Sequence, residues 1–76
     1  MITDEKRIVD ELSATRRKYL QLAEQKYREG NIKRFQTSLA KASGIEQACL
    51  AIDVELTGTG TIDLILKIRA EEGKDE

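Results

Sequence analysis

The chain has 76 residues, of which 36% are charged, with one cysteine and no histidine or proline, and its net charge is −1. This describes one domain near the lower size limit for a lone hydrophobic core, and it excludes a disulfide framework and any structural zinc site of the Cys/His kind. No apolar run reaches the length of a membrane span and no signal-peptide pattern opens the chain, so the expected compartment is the cytoplasm, with no membrane association.

The first element is a helix over about 4–29. Ile8, Leu12, Thr15, Tyr19, Leu22 and Lys26 recur at alternating spacings of four and three, which makes one stripe on an α-helix. Thr3 or Asp4 supplies a cap, and Asp4 and Glu5 suit the positive N-terminal end. Lys26 and Arg28 suit the C-terminal end, and Gly30 supplies a left-handed stop.

Asn31 is a good cap for a second helix, expected over about 32–57. Its stripe is Phe35, Ser38, Ala42, Ile45, Cys49, Ile52 and Leu56. Folding the chain back at Gly30-Asn31 sets Leu12 opposite Cys49, Thr15 opposite Ile45, Tyr19 opposite Ala42 and Leu22 opposite Leu39. The expectation is an antiparallel helical hairpin whose arms are each about 40 Å long. Ser43-Gly44 divides the reading. Gly44 is either a helical glycine that lets the arms approach, or Ser43 and Glu46 form a capping box that begins a new helix. The stripe keeps its phase through Gly44, which favours one continuous helix.

Residues 36–50 also carry Leu39-Ala40, then Gly44-Ile45, then Leu50, and this stretch resembles the helix-turn-helix signature of small phage-type repressors. The resemblance implies a turn at Gly44 and a DNA-reading helix after it. That helix holds Glu46, Gln47, Asp53 and Glu55, and no Lys or Arg occurs between Lys41 and Lys67. It repels phosphate and lacks the side chains that read guanine, and Asp53 occupies the next apolar position of the pattern.

Thr57-Gly58-Thr59-Gly60-Thr61 is a loop, and a third helix is expected over about 61–72, capped by Thr61 and stopped by Gly73. The single helical domain is thus 1–72, with a solvated tail at 73–76. An alternative is α+β, with a β-hairpin of strands at about 48–57 and 61–70. Both runs alternate in hydropathy symmetrically about Thr59. Against it, that register sets Glu55 opposite Asp63, and no breaker separates Ala48 from the preceding helix. The fold expected is all-α: a long hairpin plus a short third helix, self-associating.

The charge is divided along the chain. Residues 1–41 hold ten basic and six acidic side chains, whereas residues 42–76 hold three and eight. In a hairpin this makes the turn end basic and the open end acidic. Arg16, Arg17, Lys18, Lys26, Arg28, Lys33 and Arg34, with Tyr27 interleaved, form a candidate site for a phosphate or a partner. Their bland reading is a solvated face, with Lys26 and Arg28 stabilising a helix C-terminus and Arg16 paired with Glu46 across the arms. Leu20, Leu50, Val54, Ile62, Ile65 and Leu66 widen the stripes beyond what two helices cover, and they are the candidate oligomer interface.

Catalysis has no support in these residues. Gly58-Thr59-Gly60 lacks the flanking strand and lysine of a phosphate loop, and Cys49 has no histidine to activate it. No cofactor and no metal site are expected. The function expected is that of a small non-enzymatic binding or adaptor protein acting by oligomerisation and association with a protein partner. Its size and pattern suggest the inhibitor or sequestering proteins of phages and mobile elements. The alternative is nucleic-acid or nucleotide binding at the basic turn end.

Overall fold

The computed structural model describes residues 4–73, so Thr3 as a cap and the tail at 74–76 lie outside the described residues. The order is α1 (Asp4–Arg28), α2 (Ile32–Ala51) and α3 (Thr61–Gly73), with no strand among the described residues. The β-hairpin alternative is thereby overturned. Residues 48–51 continue α2, and residues 61–70 form the body of α3.

The turn between α1 and α2 follows from two adjacent residues. Gly30 takes φ +81°, a conformation open to a residue without Cβ. The Gly30 amide then donates to Tyr27 O at 3.0 Å and the Asn31 amide to Lys26 O at 2.9 Å, which closes the last turn of α1. The Asn31 side chain starts α2 by accepting from the Arg34 amide at 3.2 Å.

Helix α2 passes through Ser43-Gly44 without a turn, so neither the capping box nor the helix-turn-helix of the repressor-like stretch forms. It also stops at Ala51, short of 57. Asp53 adopts φ 59°, its amide donates to Leu50 O at 3.2 Å, and the Val54 amide donates to Cys49 O at 2.8 Å. This pair of bonds is the same C-terminal closure seen at Gly30, built here on an aspartate. Val54 and Leu56 therefore belong to a connection, not to a helical stripe.

Helix α3 lies alongside α1 and runs in the same direction: Arg16 contacts the loop before it, Glu24 meets Lys67, and Arg28 meets Glu71. Its start differs from expectation, because Thr61 is buried and does not cap. The Asp63 carboxylate accepts from the Gly60 amide at 2.8 Å, and Glu46 accepts from the Thr61 amide at 3.0 Å. A Cβ at Gly60 would fall 2.9 Å from Glu46 Oε2, so a larger residue there would displace that carboxylate.

The core is small. Leu20, Ala23, Ala42, Leu64 and Ile68 form it, with Tyr19, Tyr27, Phe35 and Leu39 packed around it. The rings of Tyr27 and Phe35 sit 5.1 Å apart and tilted. The buried line of α1 is Ser13, Arg16, Leu20 and Ala23, one residue on from the stripe read in the sequence. One residue is about 100° of rotation on a helix. The shift arises because α3 packs beside α1 and draws that side inward. As a result, the stripe of Leu12, Thr15, Tyr19, Leu22 and Lys26 is left along an open face.

Candidate functional site

Two shallow depressions join on the α1/α2 face, and a third adjoins them at the open end. In the middle, Leu12, Thr15 and Tyr19 of α1 meet Lys41, Gly44, Ile45, Ala48, Cys49 and Ile52 around a groove of about 570 Å³. Leu12, Thr15 and Tyr19 meet Ile45 and Cys49 there, as the matched stripes require. The aliphatic side chains recur at helical spacing on both arms, and among the described residues nothing lies over them.

Towards the turn, a cleft of about 490 Å³ is lined by Leu22, Lys26, Lys33, Arg34, Thr37, Ser38 and Lys41. Lys41 belongs to both depressions, and its ammonium also sits 5.4 Å from the Tyr19 ring centroid, within reach of a cation–π contact. Towards the open end, Glu5, Asp10, Asp53 and Glu55 border a third depression of about 560 Å³ with Lys6, Ile8, Val9, Ile52, Val54 and Thr57. Ile52 is shared with the central groove. The apolar groove thus continues into a basic cleft at one end and adjoins an acidic depression at the other.

The charges at the two ends differ in how well the chain itself satisfies them. Lys26 pairs with Glu29 at 3.2 Å, and this ammonium, with Gln25, holds the Glu29 carboxyl below its usual range. Among the described residues, Lys33, Arg34 and Lys41 make no ion pair. Lys33 and Arg34 stand in the first turn of α2, where the helix dipole disfavours a cation. Stabilisation of α2 does not account for them.

The structure corrects three candidate residues. Arg16 is 7% exposed, so it is no phosphate ligand at the surface. Its guanidinium donates to Glu46 Oε2 at 2.8 Å and to Thr57 O at 3.0 Å, while the Ser13 hydroxyl accepts from the Thr57 amide at 3.1 Å. This cluster fixes the loop that leads into α3. Tyr27 is packed against the core and Phe35, and so offers no stacking platform. Leu20 is 6% exposed in the core and cannot form an association face.

The remaining candidates divide by position. Arg28 reaches Glu24 at 2.6 Å and Glu71 at 2.9 Å, and Lys67 also reaches Glu24 at 2.9 Å. Those cations hold the Glu24 carboxyl below its usual range, Lys67 contributing most. Arg28 thus ties α1 to α3. Arg17 borders a separate α1/α3 cleft with Gln21, Asp63 and Lys67, and Lys18 is exposed. Lys26, Lys33 and Arg34 are brought together, and Lys41, absent from the candidate set, joins them. Its signal was the spacing of 34, 38 and 41, which puts these positions on one face of α2.

The proposed interface residues are also divided. Leu50, Ile62 and Leu66 are 78%, 71% and 57% exposed, while Val54 and Ile65 are half-buried. Ile62 and Leu66 lie one turn apart on α3, and Leu50 borders a shallow hollow with Arg16, Glu46 and the 54–56 segment. The acidic border of the open face was missed as a site, although the division of charge pointed to that end.

Among the described residues, no helix is long and apolar enough to cross a membrane, and no three His, Cys, Asp or Glu side chains converge as metal ligands. Comparison with protein-family models, curated proteins and solved structures finds no match for this chain.

Proposed function

We propose that this chain is a non-enzymatic association module whose working surface is the open α1/α2 face. The observation that carries this reading is the continuity of that face, an apolar groove with acidic residues bordering one end and basic residues the other. Fully burying a Leu or Ile side chain is worth about 1.5–3 kcal/mol, so covering the groove favours a protein partner over water. The opposed charges then set which way round a partner lies. A module of this size fits the adaptor, inhibitor or sequestering role of small phage and mobile-element proteins.

The test is size-exclusion chromatography with light scattering, recording absorbance at 260 and 280 nm on protein purified without nuclease. A particle heavier than one 8.6 kDa chain, with the absorbance of protein alone, supports the reading. A particle of single-chain mass that captures no protein in cross-linking contradicts it.

A second reading rests on a separate observation, Lys33, Arg34 and Lys41 along α2, which make no ion pair among the described residues. Cations beside a helix N-terminus favour an anion, so this cleft suits a nucleotide or a nucleic-acid backbone. A raised 260 nm signal lost at high salt, and lost again in Lys33→Glu/Arg34→Glu, would support it. Clean protein absorbance in both would dismiss it.

A further inference from the structure

We propose that the occupant of the open face is a second copy of this chain, lying antiparallel to the first about a two-fold axis that crosses α1 near Thr15 and α2 near Gly44. The inference rests on the reading of that face as an association surface and specifies its partner and geometry.

The charge pattern requires an antiparallel partner. Glu5, Asp53 and Glu55 border one end of the face, and Lys26, Lys33 and Arg34 line the other. A copy turned end for end sets each basic cleft against an acidic border, twice in one dimer. A parallel copy sets Lys33 and Arg34 against their own equivalents. Lys33 and Arg34, which make no ion pair among the described residues, acquire partners in the first arrangement alone.

The same rotation locates the axis. Half-way between Glu5 and Lys26 on α1 is Thr15-Arg16, and half-way between Arg34 and Asp53 on α2 is Ser43-Gly44. The two midpoints lie at nearly the same height, because Arg16 is bonded to Glu46 at 2.8 Å. The small residues Thr15 and Gly44 therefore face their own copies across the axis, where two helices must come closest.

Gly44 is an independent sign. It lies within α2, where glycine weakens a helix, and a Cβ built on it meets nothing within 4 Å. Packing inside the chain gives no reason for a glycine there. Close approach of another backbone does. The face, about 32 Å long from Glu5 to Lys26 and about two helix diameters wide, offers on the order of 600 Å² per copy in projection, close to the scale of a specific interface. Helix α3 lies on the other side of the hairpin and does not obstruct it.

The experiment combines a cross-link with a charge exchange, both read against the mass of the unaltered chain. Cys49→Ser/Thr15→Cys is expected to form an intermolecular disulfide under mild oxidation, since Thr15 is exposed, faces its own copy across the axis, and is replaced by a side chain no larger. The unaltered chain is not, because Cys49 is buried and its two copies stand about 16 Å apart along α2. Lys33→Glu/Arg34→Glu and Glu5→Lys/Glu55→Lys are each expected to weaken the dimer by about tenfold or more, whereas their equimolar mixture forms a heterodimer close to the original affinity. A dimer that fails both tests, or that Lys33→Glu/Arg34→Glu tightens, overturns the antiparallel arrangement and leaves the association reading intact. A chain that stays monomeric at millimolar concentration overturns self-association itself.

Discussion

Arg16 joins α1, α2 and the loop that starts α3, and a single guanidinium serves all three because its fork addresses Glu46 and the Thr57 carbonyl together. Arg16→Met should lower stability by about 3 kcal/mol, read as a shift in the urea midpoint, because it leaves a partly buried carboxylate without its partner. Arg16→Lys should recover little of that loss, since an ammonium cannot fork. Thr61 gives the opposite sign: its buried hydroxyl has no hydrogen-bond partner, so Thr61→Val is expected to be neutral or to stabilise by about 1 kcal/mol in the same assay. Asp53 holds a left-handed conformation that disfavours a Cβ, so Asp53→Gly should raise stability by about 1 kcal/mol. The Arg16–Glu46 pair was legible, because matched stripes put the two side chains at one height. The end of α2 was not, because an aspartate occupies the position at which a glycine would have announced the stop. Thr61 was misread as a cap because Thr is a favoured capping residue, whereas its amide is instead bonded to Glu46, a residue remote in sequence.

At the scale of elements, α1 and α3 are tied by the Glu24 cluster. The Lys67 and Arg28 cations lower the Glu24 pKa in the folded chain below its ordinary value of 4.5. The stability this adds is fully present above about pH 4.5 and is lost as the pH falls through the lowered value. Thermal melts of Glu24→Gln and the unaltered chain should therefore differ at neutral pH and converge in acid, by an amount kept modest by solvent screening. Within α2, Gly44→Ala should stabilise the isolated chain by about 1 kcal/mol at low concentration, where helix propensity alone acts. At high concentration the added methyl should oppose dimer formation, and melts recorded across that range report the change. The three helices were legible from period and caps, and so was the continuity of α2 through Gly44, since its stripe kept phase. The face of α1 that turns inward was not. The most apolar stripe suggested one line, and the structure buries its neighbour, which contains Ser13 and Arg16. Polar residues enter that line because the loop before α3 supplies their hydrogen bonds, a tertiary fact absent from local pattern.

The whole molecule is a rod of about 52 × 22 × 20 Å whose third helix covers one side of the hairpin and leaves the other open. Division of charge between the ends was legible from a count along the chain. What the count could not supply is that both ends border a single face, because this depends on where α3 docks. Leu50, Ile62 and Leu66 are also exposed, and Leu50 borders a hollow that shares Val54 and Glu55 with the acidic depression. The account assigns association to the open face. The direct measurement is a dilution series of ¹⁵N–¹H correlation spectra from millimolar to micromolar concentration. Amide shifts that move at Leu12, Tyr19, Ile45, Ala48 and Ile52 while those of Leu50, Ile62 and Leu66 stay fixed are the predicted result. The reverse pattern, or no concentration dependence at all, would contradict it.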